Sequence, residues 1–238
     1  MLILAFESSA KAASVALMKD GVLLAETFQH SGKTHSATLM PMAQGLLKDC
    51  EVAAKDLDVV AVAMGPGSFT GVRIGVAAAK GLAWAAEKEV CGVSTLLGMA
   101  AQMAHLEGII CPVMDARRSQ VYNALFSSDG QTLTRITEDR AISLEDLKKE
   151  LENCKNTIFL VGDGSKLCYN TLKEALPGLR YPPAHLEMQR ASGVAAAASK
   201  MAGEGKCTTP QELVPNYLRL SQAERERMEK LNSLKGEK

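Results

Sequence analysis

The residues with the most chemical content lie at 58–84. A strand-like run, DVVAVAM, ends at Met64. The turn Gly65-Pro66-Gly67-Ser68-Phe69-Thr70-Gly71 follows, then small and apolar residues of helical character. A strand, a glycine turn and a helix start together suit an anion. The glycines admit close backbone approach, and the helix start offers unpaired N–H groups at its positive end. The same arrangement also serves as a tight strand-to-helix connection. Known phosphate motifs fail here. A P-loop requires a glycine five residues after the first, followed by Lys, but Thr70 stands five after Gly65 and Val72 five after Gly67. A dinucleotide fingerprint needs its third glycine where Thr70 stands. A nucleophile elbow needs glycine two before Ser68, where Pro66 sits. Elimination leaves Ser68 as a turn or helix-cap residue.

Other candidates are scattered. Glu7 and Asp115 each end a strand-like run, and Asp115 is followed by Ala116-Arg117-Arg118. An acid beside two arginines suits a phosphate or a ribose; it equally suits an internal ion pair with a solvated arginine. A second glycine turn reads Gly162-Asp163-Gly164-Ser165. Of the four histidines, His30 and His35 flank an expected strand-to-helix loop, His185 follows Pro182-Pro183, and His105 stands alone. A metal site would have to assemble from distant singles.

The elements that must position these residues form a repeat. ILAFESSAKAASVALMKDGVLLAE begins at Ile3, and ICPVMDARRSQVYNALFSSDGQTLTR begins at Ile110. Each half starts with an apolar strand ending in a carboxylate, then a polar turn, a second strand (13–18; 121–126) and an Asp-Gly turn into a third. Asp20-Gly21 and Asp129-Gly130 are hairpin signals. Later in each half an apolar strand enters a glycine turn and a helix: GPGS after 59–64, GDGS after 157–161. Four landmarks in one order read as duplicated domains, since the unit is far longer than a solenoid repeat. The spacing predicts helices over 34–50 (capped by Thr34 or Ser36), from Ser94 or Thr95 to about His105, over 144–151 capped by Ser143, over 165–176, and over 191–201. A short strand covers 90–93. The chain is thus α/β, two mixed-sheet lobes: 1–107, 108–220, and a charged tail over 221–238. That tail, SQAERERMEKLNSLKGEK, is a solvated end or a docking segment.

Composition limits the function. The 238 residues carry 27 basic and 27 acidic side chains, so no global field draws the chain onto nucleic acid. Aromatic residues are 4 %, too few for base-stacking platforms. MLILAFESS lacks a basic leader region and meets Glu7, which reads as a buried strand rather than a signal peptide. No apolar run approaches the ~20 residues needed to span a bilayer. The six cysteines form no C-x-x-C pair and read as reduced, mostly structural thiols of a cytoplasmic protein.

The duplicated meander with paired glycine turns resembles the actin-like ATPase/sugar kinase/Hsp70 (ASKHA) superfamily. More narrowly, LAFESSAKAASVAL, GPGSFTGVRIGVAAAKGLA, MDARRSQVY and VPNYLR are similar to the TsaB (formerly YeaZ) family, the bacterial partners of TsaD. The resemblance spans nearly the whole chain. It implies a non-catalytic, TsaD-related assembly subunit needed for threonylcarbamoyl transfer to adenosine 37 of tRNAs reading codons that begin with A. It implies a heterodimer with TsaD, help in recruiting the ATP-hydrolysing TsaE, tRNA met only through the complex, a homodimer when alone, and no membrane. The rival is an independent ATP-dependent small-molecule kinase, or a peptidase, of the same fold.

Two features fit lost catalysis. TsaD-like chains carry an H-x-x-x-H metal pair after the strand that follows the glycine-turn helix; here the region reads CGVSTLLGMAAQMAH. Sugar kinases hold metal and phosphates with Asp-x-Gly-x-Thr; here the hairpin reads Glu7-Ser8-Ser9-Ala10-Lys11, and Glu7 could brace it instead. Gly162, Asp163, Gly164 and Ser165 match the superfamily's adenosine-side turn, implying at most weak ADP or ATP binding and no tightly held cofactor. The resemblance places the partner surface on the two helices of the first half. The residues expected there are Leu39, Met42 and Leu46, with Val72, Val76, Lys80 and Trp84. Ala43, Met40 and Leu47 extend the first face. Gly75, Ala78, Ala79, Gly81 and Ala83 are small enough for close helix approach.

Overall fold

The structure is a computed structural model that describes residues 1–219, so the expected charged tail lies outside the described residues. Leu2–Glu7 (β1) is apolar up to its last residue and is buried on both faces, which makes it the centre of the first sheet. Ala13–Lys19 (β2) pairs with it antiparallel, and Val22–Gln29 (β3) pairs with β2. Asp20 (φ 49°) and Gly21 (φ 81°) make the two-residue turn between them with both residues left-handed, as a type I′ hairpin requires. His35–Asp49 (α1) then crosses to Val59–Gly65 (β4), parallel to β1, and Phe69–Ala86 (α2) leads to Glu89–Ser94 (β5), parallel to β4. The order is β3-β2-β1-β4-β5.

Thr95–Gln102 (α3) leads into the second sheet, where the order recurs in broken form. Glu107–Asp115 (β6) is the central strand. Its antiparallel neighbour is split: Gln120–Asn123 (β7) covers its end and Phe126–Asp129 (β8) its start. Leu133–Arg135 (β9) pairs with β8, and Arg140–Ser143 (β10) with β7. Leu144–Leu151 (α4) then leads to Ile158–Val161 (β11), parallel to β6. Ser165–Leu172 (α5) leads to Leu179–Arg180 (β12), parallel to β11. The second lobe is therefore the first with two strands interrupted. One unbroken strand over 121–126 is not what forms, because Ala124 and Leu125 leave the ladder. Both are buried, and Asn123 turns its amide inward to Pro112 O (3.0 Å) and Ala124 O (3.1 Å). The order of the first sheet thus recurs in the second, as the repeat in the sequence implies.

Helices cover all four sheet faces. α1 and α2 lie on the outer face of the first sheet, α4 and α5 on the outer face of the second. Ala191–Gly203 (α6) returns to the inner face of the first sheet, while α3 packs on the inner face of the second. The two inner helices meet where Gly193 lies on the Gly98 carbonyl, and a Cβ on Gly98 would stand 3.2 Å from Val194 Cγ2. The first sheet ends with β5 at Ser94 and the second begins with β6 at Glu107, so a boundary at 107/108 falls one residue inside β6, and α6 and the segment after it belong by packing to the first lobe. Two helices are shorter than the sequence suggests: α3 stops at Gln102 and α5 at Leu172. Among the described residues no helix is long and apolar enough to cross a membrane.

Candidate functional site

A cleft of about 680 Å³ opens between the lobes, lined by Ser9, Lys11, Ser68, Asp115, Arg117, Asp163 and Arg219 among others. Three of the four sequence motifs therefore converge on one place. Glu7, the fourth, lies beneath the cleft and is 1 % exposed.

Glu7 braces its turn. Its Oε1 accepts the Ser9 backbone N–H at 2.6 Å. Burial pushes the carboxyl up to about 7, opposed by the Ser9 hydrogen bonds and reinforced by the charge of Asp163. Asp163 is itself raised, mainly by burial, while Gln189 Nε2 donates to its Oδ1 at 3.0 Å. Two carboxyls, one from each lobe, thus share a poorly solvated floor.

The first glycine turn is explained by packing. Ser68 is the N-cap of α2, its Oγ accepting the Gly71 N–H at 3.3 Å, and its own N–H donates to Ser9 O at 2.6 Å. A Cβ at Gly67 would stand 2.5 Å from Ser9 O; at Gly71 it would overlap Ser8 O, and at Gly75 the Ser8 Oγ. Glycines four apart lie on one helix face. They let α2 press onto the Ser8–Ser9 turn, so this spacing is that of a close helix contact.

The second carboxylate turn contains no ion pair among the described residues. Asp115 Oδ1 accepts the Arg117 N–H at 2.7 Å, and Arg117, Arg118 and Ser119 all have φ between 53° and 63°. Both arginines are exposed. Of the GDGS turn only Asp163 lines the cleft. Gly162 (φ 108°) faces Val113 O, Gly164 caps α5 and donates to the same carbonyl at 3.1 Å, and Ser165 is buried. Among the histidines, His30 lines the cleft and His35 Nε2 meets Ala10 O at 2.7 Å, whereas His105 and His185 are exposed. No three His, Cys, Asp or Glu side chains among the described residues lie close enough to share a metal ion.

Residues 207–219 form a strap that the local sequence pattern does not announce. Thr208 bridges to Val90 at the β5 edge. Lys80 Nζ donates to Leu213 O (2.9 Å) and Gln211 O (3.3 Å), and Leu213 enters the first core. The Asn216 N–H reaches Met64 O at 2.7 Å, and Arg219 Nη1 reaches Ala116 O at 2.9 Å, in the second lobe. An available signal was the apolar and aromatic run Leu213, Val214, Tyr217, Leu218 in an otherwise polar stretch.

The expected partner face needs correction. Leu39, Leu46, Val72 and Val76 are 1–4 % exposed and form this chain's own core. Met42 is half-buried against that core, and Lys80 is committed to the strap. The apolar stripe of a helix lying on a sheet is the stripe it buries. Trp84, however, is 62 % exposed. It lies with Ala77, Gly81 and Ala85 on the open face of α2, while Ala37, Pro41, Gln44 and Gly45 form the open face of α1. A Cβ at Gly45 or Gly81 would meet nothing within 4 Å.

A family model described as TsaD, tRNA N6-adenosine threonylcarbamoyltransferase, matches residues 28–227. The Bacillus subtilis (strain 168) "tRNA threonylcarbamoyladenosine biosynthesis protein TsaB" is 34 % identical over 224 residues, 94 % of this chain and 96 % of that protein. Its Escherichia coli (strain K12) namesake is 32 % identical over 222 residues, 92 % and 95 % of the two. The solved structure of YeaZ from Pseudomonas aeruginosa superposes with a TM-score of 0.74 at 26 % identity, covering 91 % of this chain and 99 % of that one.

Proposed function

The chain belongs to the TsaB family of tRNA threonylcarbamoyladenosine biosynthesis, and on that premise we propose that it is an assembly subunit that binds and stabilises TsaD and helps recruit TsaE. The observation that carries this reading is the open face of α1 and α2. Ala37, Pro41 and Gly45 on one helix, and Ala77, Gly81 and Ala85 on the other, repeat every four residues and are exposed. Trp84 stands beside them as an anchor. Small uncharged residues on two adjacent helices allow two further helices to approach closely, and an exposed tryptophan suits the centre of an interface. A partner of related fold would offer an equivalent helix pair, and a second copy of this chain would compete for the same face.

The catalytic part falls to TsaD in this reading. The first hairpin supports it, because Glu7 is buried and held by Ser9 and so does not face the cleft as a phosphate or metal ligand. ADP or ATP would bind weakly at most, through Asp163 and the turns around it. tRNA would be met through the complex.

Reconstitution tests this. With TsaD, TsaE, ATP, tRNA and an activated threonylcarbamoyl donor supplied, threonylcarbamoyladenosine should form only when this chain is added, and this chain with donor and tRNA alone should transfer nothing. Full modification in its absence would overturn the assembly role; transfer by the isolated chain would overturn the non-catalytic one.

A further inference from the structure

The strap begins at a pair of cysteines that the proposed function does not use. Val90 and Thr208 exchange both backbone hydrogen bonds, each 2.9 Å, across an antiparallel bridge. Such a pair is the hydrogen-bonded kind, so Cys91 and Cys207, one step along each segment, stand where a non-hydrogen-bonded pair would follow, although the ladder ends at this isolated bridge. Cα atoms in such pairs lie about 4.5 Å apart, within the roughly 4.4–6.8 Å that a disulfide spans. Opposed residues also share a sheet face. Cys91 is in the core under α6, and Cys207 packs against that same core. Each thiol also perturbs the titration of the other.

We infer that Cys91 and Cys207 are a reversible dithiol–disulfide pair whose oxidation pins the start of the strap to β5. The oxidant class is a small disulfide such as oxidised glutathione. Cys207 is partly exposed and Cys91 fully buried, so exchange starts at Cys207. Its thiolate attacks the small disulfide, and one glutathione thiolate leaves. Cys91 then gives up its proton and attacks Cys207 Sγ, and the second glutathione leaves. Two protein thiols are oxidised while one small disulfide becomes two thiols. Burial pushes the Cys91 thiol up to about 12, which makes the second step the slow one and faster at higher pH. The consequence reaches the cleft, because the pinned segment carries Tyr217 to α2 and Arg219 to Ala116.

The test treats the folded full-length chain with oxidised glutathione, traps free thiols with iodoacetamide and maps the peptides by mass spectrometry. A Cys91–Cys207 cross-linked peptide should appear, and dithiothreitol should remove it. Cys111 and Cys168, both buried, should stay reduced and serve as the internal control. Amide exchange across the strap should slow roughly tenfold in the oxidised chain. Cys91→Ser should instead leave Cys207 as a stable glutathione adduct. Accumulation of that adduct in the unaltered chain, or a cross-link that forms only after denaturant is added, would overturn the inference.

Discussion

The ring of Tyr217 lies flat on Phe69, with centroids 4.0 Å apart and planes within 6° of parallel. Arg73 completes the group: its guanidinium sits 4.5 Å from the Phe69 centroid, and its Nε donates to the Tyr217 hydroxyl at 2.8 Å. Phe69 is the first residue of α2 and Tyr217 lies near the end of the strap. This stack fastens the strap to the helix that carries half of the proposed partner face.

Stacked aromatic pairs contribute about 0.5–1.5 kcal/mol beyond their buried area. Tyr217→Ala should therefore lower unfolding stability by about 1–2 kcal/mol, whereas Tyr217→Phe keeps the stack and should lose less than half of that. Chemical denaturation of the two variants checks this. Equal losses would place the energy in the Arg73 hydrogen bond.

Glu7 gives the chain a pH dependence of known sign. Its folded carboxyl titrates near 7 against an ordinary 4.5, so between these values the folded state holds more protons than the unfolded state. Stability from this group is full below about pH 4.5 and falls as pH rises through 7. The loss is on the order of 3 kcal/mol. Glu7→Gln, which can still accept the Ser9 N–H, should flatten that fall and be more stable than the unaltered chain at pH 8. A parallel pH profile for both would contradict this.

The two glycines of the GDGS turn should differ. Gly162 has φ 108°, and its Cβ would overlap Val113 O; Gly164 has φ −86°, and its Cβ would stand 3.0–3.1 Å from the Met114 and Asp115 backbone. A side chain at positive φ costs roughly 1–2 kcal/mol before any clash. Gly162→Ala should therefore destabilise more than Gly164→Ala, measured by urea unfolding. The reverse order would contradict the geometry.

The sequence carried the lobe plan because local rules and tertiary packing agree there. Asp20-Gly21, the Ser143 cap and the run into Gly65 are each decided by neighbours in sequence. Three features were illegible for physical reasons. The break at Ala124–Leu125 depends on what Asn123 meets inside the second lobe, which no local pattern reports. The glycines of α2 look like an anion loop until Ser8 and Ser9 are seen beneath them. Leu39, Leu46, Val72 and Val76 match a docking stripe in period, yet a helix has one apolar stripe and its own sheet takes it. What remains for a partner is a face recognisable in sequence only by its lack of charge.

The central claim is that this open face binds TsaD, and Gly81→Glu tests it most directly. Gly81 sits mid-helix with open space where its Cβ would be, so the variant should fold at least as stably as the unaltered chain, since glycine costs a helix up to about 1 kcal/mol. The measurement is the mass of complexes formed on mixing with TsaD from the same organism, by light scattering after gel filtration. The unaltered chain should give a complex containing both proteins, and the folded Gly81→Glu chain should give only the separate proteins and no homodimer. A complex of unchanged mass and affinity with the variant would contradict the account.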